Sequence, residues 1–98
     1  MNDNKKTPYR ILRLRSGQDV ITRIIGKSGD KLILERPMQM KVSSIFDGMS
    51  HQREILMFRN WLQYTNEDKT KIPYDFIASF ETPKQEIVDL YDIEKQKE

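Results

Sequence analysis

Residues 12–24, Leu-Arg-Leu-Arg-Ser-Gly-Gln-Asp-Val-Ile-Thr-Arg-Ile, constrain the fold more than any other stretch. Leu12 and Leu14 alternate with Arg13 and Arg15, the pattern of a strand with one apolar face. Ser16-Gly17 supplies a turn, and its glycine is free to take a positive φ. The residues that follow are rich in β-branched side chains. Val20, Thr22 and Ile24 fall on one face, with Ile21, Arg23 and Ile25 on the other. Isoleucines on both faces predict a strand covered on both sides along part of its length. Gly26 predicts a bulge or sharp bend. A second turn, Ser28-Gly29-Asp30, leads into a third strand at 31–35. Three consecutive antiparallel strands so early in 98 residues point to a small, strongly bent sheet or barrel.

Further along, Pro37 ends the third strand, bends it or places it at an edge. Met38, Met40 and Val42 resume the alternation. Residues 46–53 read as a hairpin connection with Gly48 at its tip, and 54–61 as another strand. Residues 65–71 form a polar loop, and 75–80 a last short strand. Thr82-Pro83-Lys84-Gln85 carries a capping hydroxyl, a proline at the first helical position and a glutamine three residues after the cap. Ile87, Leu90 and Tyr91 follow at helical spacing, which predicts a helix over 83–95. The expected architecture is one domain: a disordered stretch over 1–7, a mostly β core over 9–80 and a C-terminal α-helix. That core is a small, strongly bent antiparallel sheet or barrel.

Charge and cysteine content narrow the function. The chain has no cysteine, so disulfides and thiolate metal sites are out, and a cytoplasmic setting is expected. No apolar run has the length of a membrane span. The net charge is +2, yet residues 1–50 carry ten Lys/Arg against five Asp/Glu (+5), and residues 51–98 carry seven against ten (−3). Such asymmetry suits an anionic ligand on one face or head-to-tail self-association. His51 is the only histidine and sits in a loop beside Ser50. It lacks the positioned partners that an active site needs, so the reading is not an enzyme, with no cofactor and no metal. Met38, Met40 and Met57 read as core, as do Trp61 and Tyr64 unless they line an interface.

The order of strands and turns over 9–80 resembles an Sm-like domain, which implies a strongly bent five-stranded antiparallel sheet or SH3-type barrel. The strand ending Leu14-x-Ser16-Gly17, with hydrophobic residues three and seven positions later at Val20 and Ile24, is similar to the first motif of that family. The Gly29-Asp30 turn and Leu32-Ile33-Leu34 also match. The chain departs from the pattern at Thr22, where the family favours glycine. It also departs at Ile72-Pro73-Tyr74-Asp75, where an Arg-Gly pair is usual. The Ser-Gly-Gln-Asp-Val-Ile turn, the Leu-Glu-Arg-Pro run and the segment over 72–87 are similar to uncharacterised Sm-like proteins of marine tailed phages and uncultured marine microbes.

The resemblance implies a homo-oligomeric ring, completed by edge-strand pairing between subunits, that binds or scaffolds single-stranded RNA. It also implies two pore-facing loops, the first flanked by Lys27 and Lys31 and the second bearing Lys69 and Lys71. Tyr64 offers a stacking surface for a base. These lysines are otherwise ordinary solvated side chains. Arg13, Arg15 and Arg23 form a second basic patch if the register sets Arg15 near Arg23. The other reading pairs them with Asp or Glu on an adjoining strand. The alternative function is a protein-interaction or structural module that binds no nucleic acid.

Overall fold

A computed structural model describes residues 7–46, 48, 52–62 and 64–97. Ser50 and His51, and residues 1–6 of the segment expected to be disordered, lie outside the described residues. The described residues form six strands, β1 (Tyr9–Leu14), β2 (Asp19–Ser28), β3 (Lys31–Phe46), β4 (Gln52–Asn60), β5 (Lys69–Pro73) and β6 (Ile77–Glu81), then one helix, α1 (Gln85–Lys95). The strands make one antiparallel sheet in the order β4-β3-β2-β1-β6, and β5 also pairs with β3.

The expectation of five strands is therefore corrected to six. The sheet is not closed either, with β4 and β6 at its two ends. The extra strand arises because β5 and β6, separated by a 310 turn at Tyr74–Phe76, pair on opposite sides of the meander. The chain thus crosses one face of the sheet between β3 and β1. Under that crossing lies the first core, Leu12, Leu14, Val20, Leu32, Leu34, Ile72 and Ile77, with Ile24 and Trp61 packed against it. The opposite face carries the second core, in which Ile21, Met38 and Tyr91 are buried among Tyr9, Ile11, Met40, Phe58 and Ile87. The second strand is covered on both faces: Val20, Ile21 and Thr22 have no exposed surface.

The turns follow their glycines. Leu14 N–H donates to Gln18 O and Gly17 N–H to Leu14 O, and Gly17 sits at φ 96°, where only glycine avoids a Cβ clash. Gly29 opens a two-residue hairpin at φ 65°. The β2–β3 register slips at Ile24/Gly26, the bend that Gly26 predicts.

Pro37 does not end β3; it bends it. The ladder slips again between Ile21 and Arg23, so that Arg36 and Pro37 lie where β3 changes partners from β5 to β4. A proline without an N–H fits such a bulge. Arg36 takes φ 49° there, an uncommon value for a side-chain-bearing residue, and is held on three sides. Its N–H donates to Asp68 O (2.6 Å), its guanidinium to Lys95 O (2.8 Å), and its carbonyl accepts from the Tyr91 hydroxyl (2.7 Å). The buried Thr22 hydroxyl donates to Glu35 O at 2.9 Å beside the same bend.

Four local expectations are corrected. The capping motif at Thr82 is not formed; the N-cap is Lys84, and Gln85 instead donates to Asp89. Pro83 is fully buried, which fixes where the helix begins and turns its inner face to Ile87, Val88 and Tyr91. Leu90 and Ile93 consequently face outward, 43% and 53% exposed. The last strand starts at Ile77, because residues 74–76 are spent on the 310 turn. Met57, read as core, is half-exposed, because β3 and β4 run on past the end of β2 as a two-stranded arm.

Candidate nucleic-acid interface

One end of the sheet gathers much of the cationic sequence signal. The β2–β3 turn and the 310 turn meet there, joined by Tyr74 N–H donating to Asp30 O at 2.8 Å. Pro73, at φ −63°, leads into the 310 turn and lies opposite Lys31. On the first turn's far side, Arg15 N–H donates to Phe76 O at 3.0 Å and the Arg15 guanidinium to Asp75 O at 2.5 Å. The β2–β3 turn and Arg15 thus hold the 310 turn in place.

Two rings, one on that turn and one on β6, face solvent. Tyr74 is 50% exposed and Phe80, on β6, is 41% exposed; their centroids are 5.7 Å apart with the planes tilted by 43°. Lys27 Nζ stands 5.9 Å from the Tyr74 ring centroid, within cation–π range. An exposed aromatic pair beside an ammonium can stack an unpaired base and neutralise the phosphate next to it.

The structure divides the residues expected from sequence. Lys31 is a diagonal neighbour of Lys71 across the β3–β5 ladder, because Lys31 pairs with Pro73 and Lys71 with Ile33. Both lysines are exposed. Lys69 lies opposite Glu35, which also meets Arg23 at 3.6 Å. Lys69 and Lys71 are therefore strand residues, not loop residues. Thr70 and Ile72 are set opposite Leu34 and Leu32, and this pairing draws the segment into the sheet. Lys69 and Lys71 border, with Ile33 and Glu67, a shallow depression of about 440 Å³. Lys27 sits on the opposite side of the hairpin from that depression, over Tyr74. Tyr64 is 93% exposed in the loop after β4.

The register does not set Arg15 near Arg23. Arg13 faces Asp19 and Arg23 faces Tyr9, while Arg15 lies beyond β1 at the 310 turn. Arg13 Nε meets Asp19 at 2.9 Å, and this hydrogen bond raises its already high pKa further. Arg13 and Arg23 are thus each matched to a carboxylate. Among the described residues no three His, Asp or Glu side chains are grouped as a metal ion requires, and no helix is long and apolar enough to cross a membrane.

No protein-family model matches this chain. Among curated proteins, none matches it at a significant level.

Sequence reasoning missed Tyr74 and Phe80 as a pair. Both stand in the Ile72–Phe80 segment as ordinary alternating residues. Only the 310 turn, which breaks that alternation, turns Tyr74 out beside Phe80. The signal available was Pro73 directly before an aromatic residue, a marker of a turn rather than a continuing strand.

Proposed function

We propose that this chain is an Sm-like module that binds single-stranded RNA at the end of the sheet where the β2–β3 turn meets the 310 turn. The observation that carries the reading is the exposed Tyr74–Phe80 pair with Lys27 beside it. Arg15 adds positive charge at the same 310 turn, with Asp30 and Asp75 beside it, while Lys31 and Lys71 stand on the other side of the β2–β3 hairpin. Phosphate contacts supply salt-sensitive attraction, and ring stacking holds bases with little regard to sequence. No bond chemistry is involved. In a homo-oligomeric ring, as the Sm-like resemblance implies, the surface would recur once per subunit and its field would add.

Fluorescence anisotropy with labelled U-rich and A-rich oligonucleotides tests this at two salt concentrations. Tyr74→Ala with Phe80→Ala should weaken binding by roughly 5- to 150-fold, the range of one stacked base. Lys27→Glu should weaken it and flatten the salt dependence. Unchanged affinity in the aromatic variant, with its thermal unfolding intact, refutes the stacking surface.

A further inference from the structure

Beyond Asp19↔Met40 the β2 partner ends, and β3 and β4 continue alone as an arm, paired from Lys41↔Met57 to Phe46↔Gln52. An isolated two-stranded ribbon is marginal in water, so an arm of this kind gains from being covered. Its two faces differ in chemistry. One carries Lys41, Ser43 and Ile45 from β3 and Arg53, Ile55, Met57 and Arg59 from β4, placed together by the register. Ile45 is 42%, Ile55 39% and Met57 51% exposed. Among the described residues of that face stand three cations and no carboxylate. It also holds a depression of about 330 Å³ beside Lys41, Ser43, Met57 and Arg59, room enough for a branched aliphatic side chain.

The complementary surface is on α1. With Ile87, Val88 and Tyr91 turned to the sheet, the helix presents Glu86, Asp89, Leu90 and Ile93 outward, at the spacing of one helical face. That face is acidic with two exposed aliphatic residues, where the arm is basic with three apolar ones. The two cannot meet within one molecule. Strand alternation puts the basic face of the arm on the side of the sheet opposite α1, since α1 packs on the face of Ile21, Met38, Met40 and Phe58.

We infer that this chain associates head to tail with a second copy of itself, the basic apolar face of the β3–β4 arm seating on the acidic outer face of α1 of the neighbouring chain. Leu90 and Ile93 enter the depression beside Met57, while Lys41, Arg53 and Arg59 oppose Glu86 and Asp89. The contact joins unlike surfaces, so the rotation between copies decides whether it closes into a reciprocal pair or a ring or continues as an open filament. It is independent of the RNA-binding reading and uses none of the residues assigned to it.

Charge reversal followed by mixing tests this, with light scattering and sedimentation velocity as readouts. Arg53→Glu with Arg59→Glu, and separately Glu86→Lys with Asp89→Lys, should each weaken self-association by about tenfold or more without lowering thermal stability. Mixed together, the two variants should associate again, because each reversed surface now meets an opposite one. The cysteine-free chain permits a second check. Met57→Cys mixed with Leu90→Cys should give an intermolecular disulfide under mild oxidation, and Met57→Cys alone should not. Three results would overturn the inference: a monomeric wild type at every concentration, an oligomer that survives both reversals, or an arm-to-arm disulfide.

Discussion

Replacing Tyr91 by Phe isolates a single hydroxyl. Tyr91 is wholly buried, its ring meets Tyr9 edge-on at 4.8 Å, and Lys95 Nζ lies 4.8 Å from its centroid. Phenylalanine keeps the ring and so keeps these contacts. What it removes is the 2.7 Å bond to the Arg36 carbonyl, one of the ties between α1 and the bend of β3. The net worth of such a buried bond is about 1–2 kcal/mol. For a domain of this size that lowers the melting temperature by about 5–10 °C. The same hydroxyl gives a pH signature. Burial, with Tyr9 beside it, pushes the Tyr91 phenol well above its ordinary value. Its contribution to stability is therefore full below the unfolded phenol pKa of about 10. It is lost above that, by about 1.4 kcal/mol per pH unit, as the unfolded chain alone releases the proton. Urea unfolding between neutral pH and pH 11, followed by circular dichroism, compares the two proteins. Tyr91→Phe should start lower and should lack this part of the alkaline descent. Equal stability at neutral pH, or parallel descents in both proteins, would refute the reasoning.

Other substitutions have separate readouts. Leu12→Ala, at a fully buried position of the first core, should cost about 2–5 kcal/mol in chemical denaturation. Gly17→Ala should cost about 1 kcal/mol or more by thermal melting although nothing lies near the added Cβ, because φ 96° strains any side-chain-bearing residue. Thr22→Val keeps the shape but removes the donor to Glu35 O, and should lower stability by about 1–2 kcal/mol in the same assay. On the RNA-binding reading, Lys69→Glu with Lys71→Glu, on the side of the hairpin away from Tyr74, should weaken retention of U-rich or A-rich oligonucleotides at low salt less than Lys27→Glu does and leave the assembly state unchanged; filter binding beside light scattering decides this.

Local chemistry made much of this fold legible. Gly17 and Gly29 announce turns because their positions need φ values that other residues avoid, and Gly26 announces a bulge. The double-sided burial of β2 follows from Val20 and Ile21 standing side by side. What was not legible depends on pairing over distance. Lys69 and Lys71 read as loop because charge dominates the segment, yet Thr70 and Ile72 against β3 make it a strand. The helix register turns on the burial of Pro83, which no helical periodicity reports, so Leu90 and Ile93 fall outside and Val88 inside. Met57 alternates like a core residue, but the strand that would cover it, β2, has already ended. In the candidate site, the lysines at the β2–β3 turn could be named from sequence. Their aromatic neighbours could not, since Tyr74 and Phe80 meet only through a 310 turn.

The last pairing in the sheet also sets a schedule for synthesis. Glu81 lies opposite Ile11, seventy residues earlier in the chain. A ribosome delivering this protein from its N-terminus releases β1 through β4 first, and these can form their meander by neighbour contacts alone. Until β6 emerges, however, one edge of β1 has no partner, and Leu12 and Leu14 lack the cover of Ile77. Contacts of such long span are slow to form, and a strand edge left open meanwhile is a template for other chains. The nascent protein is therefore most prone to aggregate late, when all but its final quarter has been made.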